Sequence, residues 1–217
     1  MQSRPGAFPK GLTSYQIKVL AAVTMLVDHI GVVFFPEAIG FRIIGRISFP
    51  LFVWLLVQGE AHTKHVGRYG LRLAVLGVVS QPIYQVTFDT ARPNILFELL
   101  LGLICLRLAR GFPRFQLPIW IGGAGLSELL AMGYSSYGIG LIALTRYYRP
   151  TVLWWLAWVG LHLVDAWIYG EPFQLPALVV PLIFWLTNGE RGPKARWFYA
   201  FYPGHLALLW LIRQGLN

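Results

Sequence analysis

The sequence contains little charge for its length. Of its 217 residues, 12% are charged, whereas 56% are hydrophobic and 15% are aromatic. A soluble globular domain carries about 25% charged residues, so a chain this poor in charge is not expected to have a water-facing exterior. The composition therefore argues against an ordinary soluble domain.

Cysteine is nearly absent as well. The single cysteine, Cys105, lies within an apolar run. One cysteine excludes an intrachain disulfide and a metal site built from several cysteines. We expect no metal site in this chain.

The apolar residues are grouped into segments of about the length that crosses a hydrocarbon core of ~30 Å. They predict an all-α fold, a polytopic integral membrane helical bundle that forms one domain over residues 1–217. The first sixteen residues form a polar stretch without the apolar core of a signal peptide, so the first helix is expected to be retained. The nine predicted helices cover residues 17–35, 41–60, 69–88, 94–109, 117–133, 135–149, 151–169, 173–187 and 197–213. A re-entrant hairpin is the alternative for the fifth and sixth, which only GYSSYG separates.

The basic residues predict an orientation. If the N-terminus is cytoplasmic, 14 of the 18 Lys and Arg residues fall in or beside cytoplasmic loops. This asymmetry is typical of membrane proteins and predicts N-in, C-out topology. It also explains the net charge of +9 without nucleic acid, so membrane lipids are expected partners and nucleic acid is not.

Several ionisable residues interrupt the predicted helices. The stretch TMLVDHIG, for example, places Asp28 next to His29 inside the first apolar run. Ionisable side chains that face lipid cost several kcal/mol, so they normally face a cavity or each other. Their similar predicted depth on different helices predicts a polar chamber open toward the outer side. The residues assigned to this chamber are Asp28, His29, Arg46, Asn94, Glu98, Glu128, His162 and Asp165.

The positions of Asp28 and His205 predict specific contacts. Adjacent helical residues point about 100° apart, so Asp28 and His29 need partners in two directions. An ion pair between Asp28 and Arg46 is one explanation, and it does not exclude a functional role. His205 follows FYPG, where Pro203 removes a backbone hydrogen bond, so we expect a helix break there. Broken helices near mid-membrane often line a binding site.

Five stretches of the chain occur in an order typical of a known family: KVLAAVTMLVDHIG, IIGRISFPLFVWLLVQG, PNILFELLLGL, YGIGLIALTRYY and ALVVPLIFWLTNGERGPKARWFYAFYPGHLALLWLI. They contain the signatures Met-x-x-Asp-His-Ile-Gly, Gly-Arg-x-x-Phe-Pro and Phe-Tyr-x-x-His-Leu. Together they cover most of the chain and resemble the TraX family, which is named for the membrane protein that acetylates the N-terminus of F-type conjugative pilin. A more distant similarity is to multi-span acyltransferases that modify envelope glycans.

The resemblance implies an acetyltransferase in the bacterial cytoplasmic (inner) membrane. Acetyl-CoA would be the cytosolic donor, and a protein such as pilin or an envelope glycan would be the outer acceptor. Imidazole has a pKa of about 6.5 in water, so His29 can take the proton of an amine or hydroxyl near pH 7. The alternative is that His29 attacks the donor and carries the acetyl group. Asp28, the second predicted catalytic residue, would stabilise a cation such as Arg46 or the acceptor amine.

The predicted binding residues lie toward both ends of the helices. Arg68 and Arg72, in a basic cytoplasmic loop, are placed to meet the phosphates of acetyl-CoA, and a role as topology signals is the alternative. The remaining predicted binding residues are Arg46, Asn94, Glu98, Tyr202 and His205.

Two functions from other classes are compatible with the sequence. Buried Asp, His and Glu side chains relay protons in transporters and channels, although the paired inverted halves of many transporters are not evident here. An assembly or scaffold protein is the third possibility, but it would not need a polar centre. Acetyl transfer from labelled acetyl-CoA by the purified protein separates the enzyme from both.

Overall fold

The computed structural model describes residues 11–170 and 172–216. Ten α-helices make up most of this part of the chain, and its only extended pairing is an isolated bridge between Leu12 and Thr187. The helices are α1 (Ser14–Phe34), α2 (Ile39–Gly45), α3 (Ser48–His62), α4 (Val66–Phe88), α5 (Ile95–Gly111), α6 (Gln116–Leu129), α7 (Ser135–Arg146), α8 (Val152–Tyr169), α9 (Val180–Trp185) and α10 (Phe198–Leu216). Short 3₁₀ helices, Pro113–Phe115 and Leu175–Val179, precede α6 and α9. The predicted all-α fold is confirmed.

The start of α1 is fixed by local sequence. The Thr13 side chain accepts a hydrogen bond from the Gln16 N–H at 3.3 Å, and the Gln16 side chain accepts one from the Thr13 N–H at 2.8 Å. This capping box satisfies donors that a helix start otherwise leaves unpaired. The N–H of Tyr15 also donates to the carbonyl of Arg191 at 3.1 Å. The first turn of α1 therefore lies beside the segment that precedes α10.

The second predicted helix, 41–60, is two helices in the structure. α2 ends at Gly45 and α3 begins at Ser48 after a two-residue turn. Pro50 lies in the first turn of α3, where a missing N–H is tolerated, but it cannot bond to the carbonyl of Arg46 as a continuous helix requires. The prediction of one uninterrupted helix is wrong for this reason.

Prolines also bear on two other departures from the predicted helices. The predicted segment 173–187 is a 3₁₀ helix followed by the six-residue α9, which has Pro181 at its start. The expected break at Pro203 is absent, because α10 continues through this residue. Pro203 is the sixth residue of α10, so it removes only the hydrogen bond to the carbonyl of Tyr199 near the helix start, and the later turns keep theirs. His205 therefore lies on a continuous helix.

The core lies between α3, α5 and α7, while the outside is apolar. Leu51, Leu106 and Ile142 have no exposed surface, whereas Val78 is 63% and Trp167 is 83% exposed. Large exposed apolar surfaces mark contacts with membranes or partners. The exterior is therefore of a kind that lipid would cover.

Three stretches in the described part of the chain are long and apolar enough to cross a membrane. They are Ser14–Phe34, Ile39–His62 (α2 and α3 taken together) and Val152–Tyr169. The nine-segment count and the N-in, C-out orientation stay predictions. Arg4 and Lys10, two of the 14 basic residues that the predicted orientation places on the cytoplasmic side, lie outside the described residues.

Candidate active site

Asp28 on α1 is held by two arginines. Arg46 donates to both of its carboxylate oxygens at 2.9 and 3.0 Å, and Arg42 donates to Oδ2 at 3.0 Å. Asp28 and Arg46 are only 9% and 8% exposed. The predicted ion pair between Asp28 and Arg46 is confirmed, and Arg42 is a further partner. Asp28 also lines the cavity beside His29, and a role in holding an acceptor amine stays a prediction.

Two glycines allow α1 and α2 to approach closely enough for this ion pair. A methyl group added at Gly45 would overlap the side chain of Asp28. One added at Gly31 would overlap Phe41. The glycines of the signatures that contain Asp28 and Arg46 therefore have a steric role, because they leave room for the helix contact.

His29 and His205 form a hydrogen-bonded pair that joins α1 to α10. Nδ1 of His29 lies 2.8 Å from Nε2 of His205, and the ring planes are 13° apart. Nδ1 of His205 lies 2.7 Å from the carbonyl oxygen of Phe201. As the sequence predicted, Asp28 and His29 have partners in two directions, one on the α2 side and one on α10.

These contacts define the tautomers of two neutral rings. The carbonyl of Phe201 can only accept, so Nδ1 of His205 carries the hydrogen and its Nε2 is an acceptor. Nδ1 of His29 must then donate to Nε2 of His205. It follows that Nε2 of His29 carries no hydrogen, and its lone pair forms no hydrogen bond with the described residues. This nitrogen is available as a base or a nucleophile.

The His29 side chain borders a cavity of about 290 Å³, called here the histidine cavity. Asp28, Arg42 and Arg46 line it together with His29. If His29 is neutral, the two arginines and the single carboxylate give the wall of the histidine cavity a net charge of +1. Its other lining includes Ser48, Tyr84, Phe88, Thr90, Tyr134, Gln174 and Tyr202.

A second cavity of about 370 Å³ lies next to it and is called here the basic cavity. Four cationic side chains line it: Lys18, Arg68, Arg72 and Arg191. No carboxylate among the described residues lines this cavity. Much of the remaining wall is apolar or aromatic, including Leu73 and Phe198. Cationic side chains beside an apolar wall fit a ligand that has phosphates and a less polar arm. The predicted donor-binding residues Arg68 and Arg72 thus lie together in one cavity.

The two cavities share part of their walls. Four side chains from four helices border both of them, and we call this set the partition: Met25, Phe52, Ile95 and Tyr202. Tyr202, a predicted binding residue, therefore faces both spaces. The partition lies one turn from the histidines, because Met25 precedes His29 by four residues and Tyr202 precedes His205 by three.

Asn94 and Glu98, two further predicted binding residues, lie outside both cavities. Asn94 caps α5 by accepting from the N–H of Leu96 at 3.0 Å, and its amide nitrogen donates to the carbonyl of Gly77 at 2.8 Å. Glu98 accepts from Ser127 at 2.8 Å and from the N–H of Tyr134 at 3.2 Å. These contacts give both residues a structural role, and Glu98 positions the segment that carries Tyr134 into the histidine cavity.

The other residues assigned to the chamber are also elsewhere. His162 is buried between Tyr137 and its own helix, with 3.1 Å to the Tyr137 hydroxyl. Glu128 accepts from the N–H of Ser136 at 2.9 Å, and Asp165 borders neither cavity. A single chamber containing all the predicted residues is therefore wrong, because similar depth does not place side chains on facing sides of their helices.

Several lining residues were not predicted from the sequence, among them Arg42, Lys18, Arg191 and Tyr134. Arg42 precedes Arg46 by four residues, a spacing that places both on one helix face and could have identified it. Lys18 and Arg191 belong to the predicted cytoplasmic basic set but were not singled out as binding residues, and both line the basic cavity. Tyr134 carried no recognisable signal.

The fold and site together define an all-helical protein with an apolar exterior and a partly buried histidine pair beside two cavities that charged side chains line in part. A family model described as TraX protein matches residues 13–213, and the chain belongs to this family. The probable fimbrial assembly protein FimC, serogroup H1, of Dichelobacter nodosus is 30% identical over 232 aligned positions, which cover 91% of this chain and 94% of that protein. An uncharacterized protein of Rickettsia prowazekii (strain Madrid E) is 34% identical over 93 positions, which cover 42% of this chain and 36% of that protein. No solved structure matches.

Proposed function

We propose that this protein is a multi-pass acetyltransferase of the bacterial inner membrane that moves an acetyl group from cytosolic acetyl-CoA to an amine or hydroxyl at the outer side. The observation that carries the proposal is the free lone pair on Nε2 of His29, because His29 borders the histidine cavity and lies one helical turn from Met25, which also borders the basic cavity. Family membership and the similarity to a probable fimbrial assembly protein support pilin or another envelope component as the acceptor.

The basic cavity is the proposed donor site. Lys18, Arg68, Arg72 and Arg191 would bind the phosphates of acetyl-CoA, while the apolar wall would contact the less polar arm. Three of these four residues lie in or next to the loops that the charge asymmetry places in the cytoplasm, and Lys18 lies near the start of α1. This agreement supports N-in, C-out topology with the donor bound from the cytoplasm.

When bound, acetyl-CoA supplies the acetyl carbon as a thioester. Nε2 of His29 takes the proton from the acceptor amine or hydroxyl, whose lone pair forms the new bond to that carbon. The C–S bond breaks and its electron pair goes to sulfur, and His29 then gives the proton to the thiolate. His205 supports this cycle because it accepts the hydrogen on Nδ1 and keeps Nε2 unprotonated in the neutral ring. The same lone pair would serve if His29 attacked the thioester first.

Arg42 and Arg46 have a proposed electrostatic role. Acyl transfer places negative charge on the acetyl oxygen, and fixed positive groups nearby stabilise it. Asp28 neutralises one positive charge and orients both guanidinium groups. Nε of Arg46 is buried with no partner among the described residues, so an added acceptor atom there would be favourable.

A proton-coupled transporter is the second candidate. Two cavities separated by a thin wall also suit a solute that passes between two sides of a membrane, and buried histidines relay protons in such proteins. A transporter would not release CoA from acetyl-CoA. CoA release therefore distinguishes the two functions.

The proposal is tested with the purified protein, ¹⁴C-labelled acetyl-CoA and a mixture of short peptides with free α-amino groups. We expect labelled peptides and released CoA. Neutralising Arg68 and Arg72 together to Gln should raise the KM for acetyl-CoA about 10-fold or more, because two phosphate contacts are lost.

The matched control changes Arg146 and Arg149 to Gln. These residues share the predicted cytoplasmic side but line neither cavity, so donor binding should not change. Absence of both transfer and CoA release with folded protein would contradict the proposed enzyme, and equal KM effects in the two double variants would remove the donor site from the basic cavity.

A further inference from the structure

The partition separates the proposed donor site from the histidine pair by a single layer of side chains. Met25 and Tyr202 are 7% and 6% exposed and belong to the same helices as His29 and His205. Phe52 on α3 and Ile95 at the start of α5 complete the layer. A group that is carried from the basic cavity to Nε2 of His29 has to fit among these four side chains.

Each of the four partition side chains is bulky. The layer consists of a methionine, a phenylalanine, an isoleucine and a tyrosine. These side chains belong to the walls of both cavities and keep the two spaces separate. The sulfur end of a bound donor would meet this layer from the side of the basic cavity. The part of the donor beyond the thioester carbonyl is then the part that contacts the partition.

We propose that the partition sets the length of the transferred acyl group, and that Met25 and Phe52 are the specificity-determining residues that restrict it to two carbons. This inference rests on the proposed function. In a close-packed apolar site, one additional methylene costs about 10- to 200-fold in discrimination. The unaltered protein should therefore prefer acetyl-CoA over propionyl-CoA by about this factor.

Met25→Ala removes three heavy atoms from the partition without changing either histidine. We expect the ratio of propionyl to acetyl transfer to rise at least 10-fold. Phe52→Val, at a less buried position, should shift the ratio in the same direction. Rate ratios are compared because they do not depend on the fraction of protein that is folded.

Met132→Ala is the matched control. Met132 is 6% exposed, about as buried as Met25, but it lines neither cavity. Met132→Ala removes the same side-chain atoms as Met25→Ala from a similarly buried position. It should leave the ratio of propionyl to acetyl transfer unchanged. A similar rise in this control would assign the effect to general loosening and overturn the proposal.

Binding gives a readout that does not need turnover. The thioethers S-ethyl-CoA and S-butyl-CoA are titrated calorimetrically into each variant in detergent. We expect the unaltered protein to prefer S-ethyl-CoA and Met25→Ala to reduce that preference at least 10-fold.

Thioether binding with the same preference in all variants would overturn the partition proposal and leave the proposed enzyme intact. Absence of thioether binding to the unaltered protein would instead overturn both. Thioether binding with the expected preference but without acetyl transfer would contradict the enzymatic proposal and leave only a length-selective binding site at the partition.

Discussion

The availability of Nε2 on His29 depends on His205, which lies 176 residues further along the chain. His205 accepts the hydrogen on Nδ1 of His29, and its own Nδ1 donates to the carbonyl of Phe201. His29 is positioned by α1 and His205 by α10. Loss of either ring should therefore affect the chemistry in a different way.

His29→Gln should reduce acetyl transfer by at least ~100-fold, because an amide keeps hydrogen bonding but cannot take the proton. His205→Ala should also reduce transfer, since His29 would then adopt either tautomer. His205→Gln should restore part of that loss, because its Oε1 can accept from Nδ1 of His29. The measurement is kcat at equal folded concentration. Equal rates for His205→Ala and the unaltered protein would contradict the positioning role.

Asp28 and Arg46 allow a second test at single-residue resolution. Breaking a buried ion pair leaves one charge uncompensated and costs about 3–5 kcal/mol, so Asp28→Asn and Arg46→Gln should each lower stability strongly. The double variant should lose less than the sum, with a coupling of about 0.5–3 kcal/mol. Stability is measured by unfolding in a detergent with a denaturing surfactant. Strict additivity would show that the two side chains act independently, against the 2.9 Å contact.

At the scale of helices, the contact between α1 and α2 requires Gly45. Gly45→Ala would push a methyl group into the Asp28 side chain, and overpacking of this kind costs about 1–3 kcal/mol. Gly40→Ala, on the same helix, is the control because no atom lies within 4 Å of its added carbon. We expect lower stability and activity for Gly45→Ala alone in thermal inactivation. Similar behaviour of the two variants would contradict the close approach of the helices.

The sequence predicted the helices well where apolar length determined them. The first was predicted at 17–35 and is Ser14–Phe34, and the seventh was predicted at 151–169 and is Val152–Tyr169. Predictions failed at prolines, since one missing N–H ends a helix near Pro50 but not at Pro203. The effect of a proline depends on how many backbone hydrogen bonds the helix keeps on each side of it.

The site was predictable only in part. The ion pair followed from two opposite charges at similar depth, but no local pattern links His29 to His205, because rotation about each helix axis decides which side chains meet. A further ion cluster was missed. Glu60 is fully buried and binds Arg107 at 3.2 Å and Arg110 at 2.7 Å. In the sequence, Glu60 lies at the end of an apolar run and resembles a loop residue.

At the scale of the whole molecule, the proposed function requires that the basic cavity and the histidine cavity face opposite sides of the membrane. Reporters fused after Lys64, Arg110 or Lys194 should indicate the cytoplasm, and one fused after Arg92 should indicate the outer side. The contrast arises because the first three positions lie within clusters of basic residues and Arg92 does not. Opposite signals at two of these positions would contradict the placement of the donor site.

The central claim is acetyl transfer across the membrane through His29, and vesicles with the purified protein in one orientation test it most directly. ¹⁴C-labelled acetyl-CoA is supplied only on the side that exposes the loop around Lys194, and peptides with free α-amino groups only on the other side. The account predicts labelled peptide and released CoA with the unaltered protein, and at least ~100-fold less of both with His29→Gln. Label that appears only when donor and peptide share one side, or equal labelling by His29→Gln, would contradict it.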